Sequence, residues 1–193
     1  MPRRSKELSA NRFYHLYNRG NNKEPIFFEK ENYLFFLDKF SKTISSGSAL
    51  VHAFCLMPNH YHFLIELIRE AEFQKQFGGF LISYVKSFNQ MYQRVGHLFQ
   101  GRFQAKPVDS DEYLIHLSRY IHLNPVFAEL VKKGEEWEFS SYRDFVSKDE
   151  IWKFVSRDLI LSNFGNKTAY REFVESFSRE KFLEMQGDFW KEE

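Results

Sequence analysis

Periodic segments in the order β-α-β-β-α-β, a Pro-Asn turn between two adjacent strands, and a further amphipathic stretch behind the last strand predict an α+β fold. The order matches a ferredoxin-like split βαβ, in which one antiparallel sheet is backed by helices. To this plan the chain adds a helix that carries Tyr120 and a helical C-terminal extension. The expected division is 1–145 for the main domain and 146–193 for the extension.

Each element has its own local signal. Residues 12–18 are aromatic-rich and alternate loosely, as a strand does, and Arg19-Gly20-Asn21-Asn22 reads as a turn. Tyr33, Phe36, Leu37, Phe40 and Ile44 recur at helical spacing within 30–45. Ser46-Gly47-Ser48 ends that helix. Residues 49–57 and 60–67 form a hairpin about Pro58-Asn59, where proline cannot donate to a ladder. A second helix is expected over 80–95, stopped by Gly96-His97, and a short strand or loop over 98–108. The third helix is expected over 109–123. Asp109 is its N-cap, Glu112 stands in capping-box position, and Pro125 ends or kinks it. Beyond it, Phe139-Ser-Ser-Tyr142 reads as a loop, 163–166 as a turn, and 168–186 as one charged terminal helix.

The composition narrows the function classes. A single cysteine, Cys55, excludes an internal disulfide framework and a cysteine-rich zinc site, and suits a reducing cytoplasm. No apolar run approaches the roughly 20 residues of a membrane span. The basic stretch 1–6 lacks the apolar run of a signal peptide, and reads as an arm for phosphates or a solvated terminus. The net charge of +1 conceals an asymmetry. Residues 1–106 carry 15 Lys/Arg against 8 Asp/Glu, and residues 107–193 carry 12 against 18. The basic half suits a polyanion, and 23 phenylalanines with 10 tyrosines leave rings for stacking on unpaired bases.

His60 and His62 lie two residues apart on the second hairpin strand. Side chains i and i+2 of a strand share a face, so both imidazoles can reach one divalent ion. Two ligands are too few for a closed structural site, and an open one leaves room for phosphate oxygens. The same spacing also suits two histidines on a solvated sheet face. On the third helix, Tyr113, Leu117, Tyr120 and Asn124 share one side, with Tyr120 at the edge of the apolar stripe Leu114, Leu117, Ile121. A tyrosine hydroxyl, with a reference pKa of about 10, needs a metal or cationic neighbours before it attacks phosphorus. The plain alternative is a core-edge tyrosine with a satisfied hydroxyl. Tyr61, between the two histidines, faces away from them. No Ser/His/Asp motif or phosphate-binding glycine loop occurs.

Five blocks carry a family resemblance: Tyr14-His-Leu-Tyr-Asn-Arg-Gly-Asn-Asn22, Met57-Pro-Asn-His-Tyr-His62, Leu98-Phe-Gln-Gly-Arg-Phe103, Arg119-Tyr-Ile-His-Leu-Asn-Pro125 with Ala128, and Phe139-Ser-Ser-Tyr142. In this order they resemble the IS200/IS605-type single-tyrosine (Y1) transposases of the HUH superfamily, most closely the REP-associated branch. The resemblance implies a metal-dependent, single-stranded DNA endonuclease and strand-transferase acting beside DNA hairpins. His60 and His62 would hold Mg²⁺ or Mn²⁺. Asn124, where the transposases proper commonly have glutamine, would complete the set. Tyr120 would form a 5′-phosphotyrosine and leave a free 3′-OH. Arg12, Asn18, Arg19, Lys86, Arg94, Arg102 and Lys106 are the candidate DNA contacts, Arg19 and Arg102 foremost because each adjoins a glycine. The protein would work in the cytoplasm, on the nucleoid when bound to DNA, as a monomer or a homodimer. Two other readings stand beside this one: a non-catalytic, domesticated hairpin-binding relative, and a metal phosphodiesterase without a covalent intermediate.

Overall fold

The computed structural model describes residues 8–190, and side chains as far as residue 187. The basic stretch 1–6 lies outside the described residues. Four strands, β1 (Arg12–Arg19), β2 (Ala49–Met57), β3 (His60–Leu67) and β4 (Gln104–Val108), form one antiparallel sheet in the order β2-β3-β1-β4. Helices α1 (Lys30–Ile44) and α2 (Glu70–Met91) complete the expected β-α-β-β-α-β unit. Then come α3 (Asp111–Phe127), the short α4 (Tyr142–Val146) and α5 (Asp158–Leu161), α6 (Lys167–Glu175) and α7 (Arg179–Trp190). No helix among the described residues is long and apolar enough to cross a membrane.

The two faces of the sheet differ chemically because the strand period is two. Tyr14 and Leu16 of β1, with Tyr61, Phe63 and Ile65 of β3, form an apolar face. Phe36 and Phe40 of α1 and Phe77 of α2 pack on it, with Phe36 5.4 Å from Tyr61 and Phe40 4.2 Å from Phe63 between ring centroids. Phe36, Phe40, Phe63 and Phe77 are fully buried. The opposite face carries His15 and Tyr17 from β1 and His60 and His62 from β3, and meets α3.

Several boundaries differ from expectation, each for a physical reason. Helix α2 begins ten residues before the expected start, because Phe73 and Phe77 extend its buried stripe through Gly78 and Gly79. Packing of an amphipathic face outweighs the roughly 1 kcal/mol helix cost of each glycine. Helix α3 is capped by Ser110 rather than Asp109, the serine oxygen accepting from Tyr113 N. It also runs through Pro125, which removes only the donor to the carbonyl four residues back. Ala128 N still closes on the Asn124 carbonyl at 3.0 Å. The single terminal helix expected over 168–186 is two, because the chain breaks at 176–178 and places Tyr170 and Phe182 on different parts of the core.

The segment around Phe139–Tyr142 is not a free loop. It runs along the outer edge of β2, where Leu56 N donates to the Phe139 carbonyl and Ser141 N to the Phe54 carbonyl. Farther along β2, Ser156 N donates to the Val51 carbonyl at 2.7 Å. Behind α3, buried His122 ties these parts together. Its Nδ1 is 2.8 Å from the Tyr170 hydroxyl of α6, and its Nε2 is 2.8 Å from Ser141 Oγ. Arg119 is sandwiched between the rings of Phe173 and Phe177, 4.2 and 3.8 Å from their centroids.

Two stability tests follow. Phe36→Ala opens a void in the aromatic layer and should cost about 3–5 kcal/mol, read from denaturant unfolding. His122 has its pKa lowered from 6.5 to about 3 by burial. The unfolded chain therefore takes up the proton first as pH falls. Stability is fully present above about 6.5 and declines by ~1.4 kcal/mol per pH unit towards about 3. His122→Gln should flatten that slope by one proton's worth, measured as urea midpoint against pH.

Candidate active site

The site is assembled on the polar face of the sheet, where β3 passes under α3. The Pro58-Asn59 turn lets β3 start at His60, and the alternation of the strand brings His60 and His62 to the same side. Their ring centroids are 4.9 Å apart. Tyr120 comes from above, its ring 5.6 Å from that of His62 in an edge-on arrangement. Asn124 follows one helical turn later.

Two asparagines hold His60 between them. Asn59 Nδ2 donates to the Lys23 carbonyl at 3.0 Å, and Asn124 Nδ2 donates to the Tyr120 carbonyl at 2.8 Å. Each amide therefore turns its oxygen to the imidazole: Asn59 Oδ1 is 2.6 Å from Nδ1 and Asn124 Oδ1 is 3.5 Å from Nε2. Burial lowers the His60 pKa to about 4; the Asn124 contact raises it and the Arg19 charge lowers it further. At neutral pH the ring thus carries one N–H. The nearer acceptor, Asn59 Oδ1, favours that proton on Nδ1. The lone pair of Nε2 then faces the lone pairs of Asn124 Oδ1. Two facing acceptors are a favourable place for a cation, and His60 Nε2 and Asn124 Oδ1 would be among the atoms that hold one.

His62 is fully buried, and burial holds its pKa well below 6.5, with His15 and His60 adding to the effect. Its Nδ1 is 2.8 Å from Nε2 of His15 on β1, so a metal ion at this site would be held through Nε2. Among the described residues no group of three His, Cys, Asp or Glu side chains forms a metal cluster. A third protein ligand beside His60 and His62 would be the Asn124 amide oxygen. His15 is the functional candidate that the sequence motifs do not single out. Its signal is the alternation of β1, which puts His15, Tyr17 and Arg19 on the face of His60 and His62.

The Tyr120 hydroxyl is closed off. The residue is fully buried, burial pushes its pKa above the ordinary tyrosine range, and the Asn124 side chain partly offsets that. Phe182 of α7 stacks on its ring at 4.7 Å and 21°.

The basic candidates separate into two groups. Arg19 is opposite His60 in the ladder, and its guanidinium is 2.9 and 3.2 Å from Gln100 Oε1. Lys106 is opposite His15 on β4. Arg102 is exposed in the loop beside Gln100. Arg19, Asn21, Asn22, Lys23 and Gln100 line an open basin of about 370 Å³ next to His60. The other candidates lie elsewhere. Arg12 is at the far end of β1, about 23 Å from Arg19 along the strand. Lys86 is exposed on α2, in the layer behind the sheet. Arg94 pairs with Glu24 at 3.2 Å. Asn18 is buried and its amide donates to the Gly101 carbonyl, so its side chain holds the loop. Gly20 also has an internal reason: a Cβ there would sit 1.9 Å from the Glu24 carbonyl oxygen. The close approach is to the chain's own backbone.

The family model for IS200-like transposases matches residues 9–124, a span from β1 through Asn124 that takes in every element of the site. This chain belongs to the IS200-like transposase family. A Haemophilus influenzae protein described as a REP-associated tyrosine transposase is 32% identical over 111 residues, which are 52% of this chain. The match spans 62% of that relative's length. The solved structure of a REP-associated tyrosine transposase bound to a REP hairpin superposes with a TM-score of 0.57 at 18% identity, covering 81% of this chain and 98% of the other. At that identity the likeness is one of fold, and it agrees with the four-stranded antiparallel sheet backed by helices.

Proposed function

We propose that this IS200-like transposase cleaves and rejoins single-stranded DNA beside a hairpin, with Tyr120 as nucleophile and Mg²⁺ or Mn²⁺ at His60, His62 and Asn124. The observation that carries this reading is the facing pair of acceptors, His60 Nε2 and Asn124 Oδ1, one helical turn from Tyr120. The relative bound to a REP hairpin supplies the substrate class. A divalent ion held there would neutralise charge on the scissile phosphate and favour the ionised tyrosine.

This chain's residues would do the rest. Asn124 is doubly employed: its amide nitrogen ties the Tyr120 carbonyl, and its oxygen faces His60. The nucleophile and one member of the ligand set are thereby held in one helical turn. Arg19, Arg102 and Lys106 would bind flanking phosphates around the basin. In the transfer step the Tyr120 oxygen bonds to phosphorus as the P–O3′ bond breaks. The phosphate stays on the tyrosine, and the proton ends on the departing 3′ oxygen. Tyr120 is fully buried with Phe182 stacked on its ring, so its hydroxyl has to become accessible before any phosphate can approach.

That same contact favours a second reading, a hairpin-binding protein without cleavage. The two separate in one assay: single-stranded hairpins incubated with Mn²⁺ and resolved under denaturing conditions. The proposal expects a covalent adduct with wild type and none with Tyr120→Phe, at unchanged hairpin affinity. Adducts that persist in Tyr120→Phe reject the nucleophile, and wild-type binding without any adduct supports the second reading. A metal titration tests the ligand set independently. His60→Ala should abolish Mn²⁺ binding and Asn124→Ala weaken it by about tenfold or more, measured by calorimetry without DNA.

A further inference from the structure

The buried contact between His15 and His62 has no task in the scheme above. Tyr17 is opposite His62 in the β1–β3 ladder and His15 is opposite Leu64, so His15 stands diagonal to His62 on the same face. Diagonal neighbours on a sheet are within reach when the side chains are rings. Here the imidazoles stack, with centroids 4.9 Å apart and planes 25° apart, and His15 Nε2 lies 2.8 Å from His62 Nδ1. Both side chains are fully buried.

We propose that His15 is the positioning residue of the metal site: its Nε2 accepts the hydrogen bond of His62 Nδ1–H, which keeps the lone pair on His62 Nε2 and stops the ring from turning. This rests on the metal reading of His60 and His62. A ligating imidazole needs a lone pair on the metal side, so its other nitrogen must carry the proton and find an acceptor. In metal sites that acceptor is usually a carboxylate, a backbone carbonyl or a water. A carboxylate would put a negative charge beside the place where a DNA phosphate must bind, and like charges at a few ångströms repel strongly in a poorly screened site. A neutral imidazole supplies the acceptor without that charge.

His60 obeys the same logic with a different partner. Its Nδ1 proton goes to Asn59 Oδ1, whose amide is oriented by the Lys23 carbonyl. Both histidines are thus set with Nδ1 engaged and Nε2 turned to the site, by two uncharged acceptors from different elements.

The test reads the tautomer directly, in the metal-free protein. Long-range ¹H–¹⁵N correlation of the histidine rings near neutral pH should show His62 protonated at Nδ1. His15→Phe, which keeps a ring but removes the acceptor, should move the His62 proton to Nε2 or to a mixture. His15→Gln, which offers an amide oxygen near the same position, should restore Nδ1–H. In a parallel Mn²⁺ titration, His15→Phe should lose about 10–100-fold in affinity and His15→Gln should recover most of it. His62 carrying its proton on Nε2 in the wild type overturns the proposal, as does a folded His15→Phe that binds Mn²⁺ like the wild type. If wild type binds no Mn²⁺, the metal reading fails, and the tautomer alone still decides for or against His15. The wild-type spectrum requires no variant, so the proposal stays falsifiable even where His15→Phe does not fold.

Discussion

The register between β1 and β3 is the constraint on which the rest depends. With Tyr17 opposite His62 and Arg19 opposite His60, the period of two sends His15, Tyr17, Arg19, His60 and His62 to one side. It sends Leu16, Tyr61 and Phe63 to the other. A slip of one residue would exchange the faces, burying imidazoles among phenylalanines and exposing the aromatic layer to α3. The aromatic packing under α1 and α2 therefore does more than stabilise the fold. It is what prevents the polar face from losing its alignment.

Helix α3 shows how a single element can serve both sides of such a design. Tyr120 and Asn124, four residues apart, point to the sheet. Ser118 and His122 are also four apart, and both meet the Tyr170 hydroxyl of α6. Arg119 lies between two rings from the segment that follows. The block Arg119 to Pro125 therefore contains two interleaved sets of residues, one that meets the sheet histidines and one that holds the chain beyond residue 139. The second set explains why a short motif on this helix carries so many buried polar residues.

Much of this was legible in the residues themselves, and the rest was hidden for identifiable reasons. The strands 49–57 and 60–67 and the shared face of His60 and His62 follow from alternation and from Pro58. The start of α2 was hidden because Gly78 and Gly79 are poor helix formers, and tertiary burial of Phe73 and Phe77 carries the helix through them. Pro125 reads as a helix end, yet it sits one turn from the terminus, where losing one donor costs little. His15 was hidden because its significance lies in a cross-strand diagonal, and no pattern along one strand reveals what stands opposite. The basic candidates divide for the same reason: Arg12 and Lys86 share charge with Arg19 but not position.

The segments lying along β2 have a further consequence. An edge strand exposes a row of backbone donors and acceptors that another strand can pair with. On β2 that row is occupied by Phe139, Ser141 and Ser156 of the same chain, and by the Trp137 indole, which donates to the Leu56 carbonyl. Two copies of this protein therefore cannot join β2 to β2 into one continuous sheet. Any assembly built by sheet extension must enter at β4, a five-residue strand in which Pro107 already lacks a donor. Backbone pairing between two copies along β2 is thereby closed off by the chain itself.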